Sequence, residues 1–178
     1  GNAIAAGMIG QLLISAWAKP PVKAAAPHAV PWKPIDGGSY FNGHFQSPAA
    51  SANTAWTWHV PDWKKISGGF RSNPFGGMKL LTATEAGKEA IVKFKGRALG
   101  AYVLAGPDAG VVEVSIDGGK WKSVDLYHHY SRGLNYPRTV MFTAELKSGE
   151  HTAKLRLSEK SNPKSKGTAA RILQFTVN

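Results

Sequence analysis

From Gly37 and Gly38 onward, Gly, Pro, Asn and Asp cut the chain into short apolar segments, none with the length or the 3.6-residue rhythm of a helix. Met78 to Thr84, Ala90 to Lys95, Leu99 to Ala105, Val111 to Ile116, Lys120 to Leu126, Thr139 to Glu145, His151 to Ser158 and Ala170 to Val177 read as strands. Alternation is clearest where Ala153, Leu155 and Leu157 interleave with Lys154, Arg156 and Ser158, which gives one apolar and one wet face. Asp117-Gly118-Gly119 accepts positive φ at low steric cost and predicts a tight hairpin between Val111 to Ile116 and Lys120 to Leu126. Ser148-Gly149 predicts a second one, joining Thr139 to Glu145 with His151 to Ser158. Short strands with no helix between them imply an all-β fold, an antiparallel, jelly-roll-like β-sandwich over residues 37–178.

Before it, Ala3 to Trp17 repeats large apolar residues at steps of about four (Ile4, Met8, Leu12, with Ile9, Leu13 and Trp17 beside them), which is a helix with a broad apolar face in need of a packing partner. Pro20 and Pro21 stop it, and residues 20–36, with Pro27, Pro31 and Pro34, read as an extended Pro/Ala-rich linker. The helix is a poor signal peptide, because no Lys or Arg precedes Lys19, and it is too short to span a membrane. Gly1 in place of Met reads as a tag remnant or an internal start. An apolar helix without cover is also a surface on which a second copy can pair.

The absence of cysteine removes disulfides, thiolate metal sites and a thiol nucleophile. A net charge of +11 raises the question of a polyanion. The cations are scattered in singles and pairs, without a basic arm or basic helix, so a soluble basic protein is expected rather than a nucleic-acid binder; the densest tract, Lys154, Arg156, Lys160, Lys164 and Lys166, could still meet an anionic polysaccharide. No G-x-S-x-G elbow, phosphate loop, H-E-x-x-H, EF-hand loop or dinucleotide fingerprint occurs, and the 11 carboxylates lie apart in sequence. No catalytic residue and no cofactor are assigned.

Phe94-Lys95-Gly96-Arg97-Ala98-Leu99-Gly100 and the run from Ala105-Gly106-Pro107-Asp108-Ala109-Gly110 to Ile116-Asp117-Gly118-Gly119 resemble the β-sandwich attached to bacterial SGNH (GDSL-type) acylhydrolases. Tyr136-Pro137-Arg138, Leu146 through Gly149 to His151-Thr152, Leu155 to Ser158 and Arg171-Ile172-Leu173 follow in the same order. Gly1 to Ile9 resembles the entry to the last helix of the SGNH catalytic domain. The resemblance implies that the nucleophile, oxyanion-hole residues and Asp-x-x-His block lie before residue 1. It further implies that residues 1–19 are a remnant of that upstream domain, and that the chain is a non-catalytic, carbohydrate-binding-module-like accessory piece of a secreted or periplasmic enzyme. The upstream domain is then one partner and a polysaccharide another, with a purely structural, docking role as the alternative.

Sandwiches hold sugars by stacking aromatic faces on the rings, with a few polar groups fixing the hydroxyls. Trp56, Trp58 and Trp63 cluster in one segment, and strand alternation places Trp56 and Trp58 on one face, either a sugar platform or a piece of core. Tyr127, His128, His129, Tyr130 and Arg132 make a second candidate loop for a ligand or a domain contact, with ordinary packing and backbone partners for the Tyr hydroxyls as the alternative; adjacent histidines in extended chain diverge, so a shared metal needs a bend. Asp108 is a turn residue and the weak candidate for a structural Ca²⁺.

Overall fold

The structure, a computed structural model, describes residues 2–20, 33, 36, 38–69 and 74–178. Most of the stretch expected to be a linker lies outside the described residues. The chain divides into two compact units, Gly1–Ser39 and Tyr40–Asn178.

In the first unit, α1 (Asn2–Trp17) forms as its Ala, Leu, Ile and Met content dictates. Lys19-Pro20 follow it, and the Ala18 N–H closes the last turn on the Ile14 carbonyl at 3.0 Å. None of its residues is buried, and Trp17 is 77% exposed.

The second unit is built from β1 (His44–Gln46), β2 (Thr57–His59), β3 (Leu80–Ala83), β4 (Glu89–Gly96), β5 (Leu99–Ala105), β6 (Val111–Ile116), β7 (Lys122–Asp125), β8 (Tyr136–Thr143), β9 (Gly149–Leu157) and β10 (Ala170–Val177). One sheet runs β2-β3-β10-β5-β8, with β1 also paired to β10; the other runs β4-β9-β6-β7. Every ladder between these strands is antiparallel. Strands β3 to β10 are thus dealt between two sheets in jelly-roll order, with β1 and β2 extending the first.

The β6–β7 hairpin forms as expected, Val112 opposite Val124, with Asp117 at φ 50° and Gly118 at φ 76°. The expected second hairpin does not. β8 pairs with β5 in one sheet and β9 with β4 and β6 in the other, so Ser148-Gly149 belongs to a crossing between layers. Either path satisfies the local turn chemistry; the burial of Val140 and Phe142 against the opposite sheet decides between them.

Val92, Phe94, Val114 and Leu155 from the smaller sheet meet Leu81, Val103, Ile172 and Phe175 from the larger one. Period-two geometry would send Ile172 and Phe175 to opposite faces. A register shift between Ile172 and Gln174 turns both inward and leaves Leu173 on the outer face, packed with Leu80 and Leu104 beneath Trp63, Phe75 and Tyr102.

Candidate functional site

The loop that leaves β7 is held at both ends before it displays anything. The Asp125 carboxylate accepts the Tyr127 N–H at 2.8 Å, and Tyr127 itself is half-buried against the core. His128 then caps a 3-10 turn over His129–Arg132. Ser131 is the bolt: fully buried, it accepts the His128 N–H at 3.1 Å and donates to the Ala105 carbonyl at the end of β5, 2.8 Å away. The Arg138 guanidinium donates to the Tyr127 carbonyl at 3.3 Å.

On that frame four rings gather. His128 stacks on Tyr136 at 4.8 Å with 12° between planes, His129 lies 3.9 Å from Tyr130, and Tyr130 lies 5.1 Å from Tyr136. The bend at the 3-10 turn brings the two histidine rings to 4.0 Å, where extended chain would have separated them. Tyr130 is 49% exposed and His129 is exposed, so the cluster shows ring surface to solvent. Burial, and then the neighbouring charges of His129 and Arg138, push the His128 ring below the usual histidine range. That agrees with Nδ1 receiving the Tyr130 N–H at 3.4 Å, a role open only to an unprotonated nitrogen. Arg132 is exposed beside the cluster, and among the described residues Tyr127 shares no ring contact with it. Tyr136 is a member that sequence reasoning misses; its place at the start of β8, next to this loop across the β5 end, is a tertiary fact.

The tryptophans do not form a platform. Trp56 is 0% exposed, and its indole N–H donates to the Lys88 carbonyl at 2.9 Å, so a sugar cannot reach it. Trp58 packs partly buried against the same core, on the side Trp56 takes. Trp63 lies on the other face of the larger sheet with Leu80, Leu104 and Leu173, donating to the Gly76 carbonyl at 3.1 Å. Burial of large aromatic area has won over display.

Asp108 grips Arg171 through both carboxylate oxygens, at 2.8 and 2.6 Å, and Arg171 is 3% exposed. A carboxylate committed to a buried guanidinium has little left for Ca²⁺, which asks for six or more oxygens. Among the described residues no group of three or more His, Asp or Glu side chains is placed to share a metal ion. In the basic tract, Lys154 pairs with Glu89 at 3.0 Å, and Arg156 pairs with Glu113 at 2.7 Å while lying 4.1 Å over the Trp121 ring. These pairings offset part of the charge that a polyanion would read.

His151 and Asp117 make the sharpest polar pair. Nδ1 lies 2.6 Å from the Asp117 carboxylate, and Nε2 lies 2.8 Å from the Lys147 carbonyl. Two acceptors on two ring nitrogens are both satisfied only when each nitrogen carries an N–H, so the geometry favours the imidazolium form. The second nitrogen is spent on a carbonyl and has no hydroxyl partner, unlike the base of a hydrolytic triad. The Asp117 and Lys147 bonds hold His151 above the usual histidine range, and Asp117 is drawn down by the Thr152 N–H and by His151. A folded-state pKa raised above the unfolded value of about 6.5 adds stability that is complete below that pH and is lost as pH rises through the folded pKa. Melting temperature should therefore decline from about pH 6 upward by more than in His151→Phe, with the His151 NMR titration midpoint above about 6.5. A midpoint at or below that value would contradict the imidazolium.

The fold has solved counterparts. A two-domain esterase active on acetylated mannans, co-crystallised with mannopentaose, matches with a TM-score of 0.56 and 14% identity, over 98% of this chain and 45% of its own. A second crystal structure of such an esterase gives 0.57 and 13%, over 98% and 46%. The two share a fold with this chain. This chain spans less than half the length of those esterases. A family 35 carbohydrate-binding module from an environmental isolate matches less closely, with a TM-score of 0.44 and 12% identity over 70% of this chain and 89% of that one. No family model matches the chain, and no curated protein matches it in sequence. Among the described residues no helix is long and apolar enough to cross a membrane.

Proposed function

We propose that the sandwich is a non-catalytic accessory domain that holds a glycan for a secreted acylhydrolase of SGNH type, an enzyme that removes acyl groups from polysaccharide. The observation that carries the reading is the partly exposed cluster of His128, His129, Tyr130 and Tyr136, fixed by the buried Ser131. Exposed rings on a rigid support are what stacking against sugar faces needs, and Arg132 and the Tyr130 hydroxyl stand by for hydroxyl groups. The likeness to esterases active on acetylated mannans supports an esterase setting and suggests mannan as the first polysaccharide to try.

Affinity electrophoresis in gels containing acetylated mannan, cellulose derivatives, xylan and a sulfated galactan tests this. Retardation in one of them is expected, and Tyr130→Ala should weaken it about five- to tenfold, the worth of one lost aromatic contact. Uniform migration in every gel would remove the glycan reading.

The helix supports a second role. A predominantly apolar α1 with no buried residue has a surface in need of cover, which favours packing against an upstream catalytic domain. Cutting the sandwich from the parent enzyme should then lower esterase stability or activity, and unchanged kinetics and melting would count against that role.

A further inference from the structure

We infer that the outer face of the smaller sheet carries a second sugar subsite, in which Arg156 and Glu113 together hold two neighbouring hydroxyl groups of a neutral sugar ring. The ligand class is that of the glycan reading, and no residue of the ring cluster takes part.

Strand register builds the site. Arg156 of β9 stands opposite Glu89 of β4 on one side and Glu113 of β6 on the other, and Ser123 of β7 stands opposite Glu113. One row across four strands thus carries Glu89, Arg156, Glu113 and Ser123, on the face away from the buried Leu155 and Val114. Lys154 takes Glu89 at 3.0 Å, and the Arg156 Nε donates to Glu113 Oε2 at 2.7 Å. The guanidinium also lies 4.1 Å over the Trp121 ring, and the two contacts together fix its plane. Arg156, Glu113 and Ser123 line a cleft of about 630 Å³, with Val111 on its wall and Ser158 and Lys160 from the chain beyond β9. That is ligand-sized space.

The unused atoms of the ion pair name the guest. Among the described residues, Nε and Oε2 are the atoms of the pair that are hydrogen-bonded, which leaves Nη1, Nη2 and Oε1 without partners. They are within reach of a ligand, since the Arg156 and Glu113 side chains are 34% and 22% exposed. Donors and an acceptor therefore stand side by side on a fixed support. Two neighbouring ring hydroxyls match them, because a hydroxyl both donates and accepts: one receives from the guanidinium while the other donates to the carboxylate. The pair is neutral as a whole, and the other two charged lining residues, Glu159 and Lys160, also cancel. A carboxylate or sulfate guest would win the guanidinium only by displacing Glu113. An apolar guest would cover both ions and leave their free atoms unpaired. Val111, half-buried on the wall, supplies the apolar contact that the C–H face of a sugar needs.

The test is an NMR titration of the intact chain with mannotetraose, cellotetraose and xylotetraose, each also in permethylated form, and with tetragalacturonate as the anionic probe. Saturable shifts of the Trp121 indole N–H, the Arg156 Nε–H and the Ser123 amide are expected with at least one neutral tetrasaccharide and with no permethylated form. Arg156→Lys keeps the charge and removes the planar fork, so it should weaken binding at these signals about tenfold, the worth of one hydrogen bond to a charged group. Glu113→Gln should weaken it about fivefold and serves if the lysine variant melts early. Tyr130→Ala should leave it unchanged. The inference is overturned if none of the neutral probes shifts these signals, or if shifts fall at Tyr130 and Tyr136 alone. It is overturned equally if permethylated forms bind as well, if tetragalacturonate binds tighter than every neutral probe, or if Arg156→Lys binds like the parent chain. The Tyr130 and Tyr136 signals report on the ring cluster in the same titration, so the two readings fail separately.

Discussion

Replacing Trp56 with alanine is expected to cost the sandwich about 3–5 kcal/mol, the range for deleting a large aromatic from a packed core. Trp56 is fully covered in the main core, although it stands just outside β2. Its indole N–H reaches the Lys88 carbonyl at 2.9 Å, and its backbone N–H is received by the Asn53 carboxamide, which also donates to the Glu89 carbonyl at 2.8 Å. The side chain therefore rivets the segment before β2 to the start of β4, across the two sheets. Truncation leaves a cavity under Leu81 and Ala90 and frees the Lys88 carbonyl. Urea unfolding should show the midpoint lowered by more than about 1 M. Trp56→Phe keeps most of the volume and should lose less than half as much. A change below about 1 kcal/mol for the alanine variant would place Trp56 outside the core.

Asp108→Ala is expected to be almost as damaging, about 3 kcal/mol, for an electrostatic reason. It strands the Arg171 guanidinium, which is 3% exposed and whose Nε already lacks a partner. The cost is that of an uncompensated buried cation more than of a lost attraction, so the two can be separated. Arg171→Met introduced into the Asp108→Ala background should recover most of the loss, because it removes the charge that has no partner. If the double variant is as unstable as the sum of the single ones, the pair is merely two independent contacts.

The ladder of the sandwich was largely legible in the residues. Ala153, Leu155 and Leu157 are buried, with Lys154 outward, as alternation required, and Asp117-Gly118 turns where its conformational freedom said it would. Ser158, expected outward, is buried at the end of that alternation, where the strand has closed and its N–H bonds the Val111 carbonyl. β1 and β2 escaped notice because three residues each, His44–Gln46 and Thr57–His59, carry no period to detect. The misplaced second hairpin has a different origin: turn residues tell where the chain bends, and which sheet it then joins depends on layers that no local window sees.

The site was legible only in part. The loop from Tyr127 to Arg132 stood out by composition, and the structure brings His128, His129 and Tyr130 together there, with Tyr136 added from β8. The tryptophans misled because an aromatic residue looks the same in sequence whether it is destined for a core or for display. Asp108 was singled out as a turn residue, but its grip on Arg171 could not be read, since that partner lies 63 positions away. An apolar groove on the larger sheet is assembled from four separated stretches of chain, Tyr40 to Phe45, Ala98, Thr139 to Ala144 and Thr176 to Asn178, none of them unusual by itself.

β10 follows every other strand in sequence and yet lies in the interior of the larger sheet, bonded to β1, β3 and β5. During synthesis, at about 5–20 residues per second, the backbone edges of β3 and β5 stay open until residues 170–177 have left the ribosome. The nascent sandwich is thus a natural client for a holding chaperone. At high concentration the same vacancy admits the equivalent strand of a neighbour, so crowded refolding should yield strand-exchanged dimers before it yields disordered aggregate.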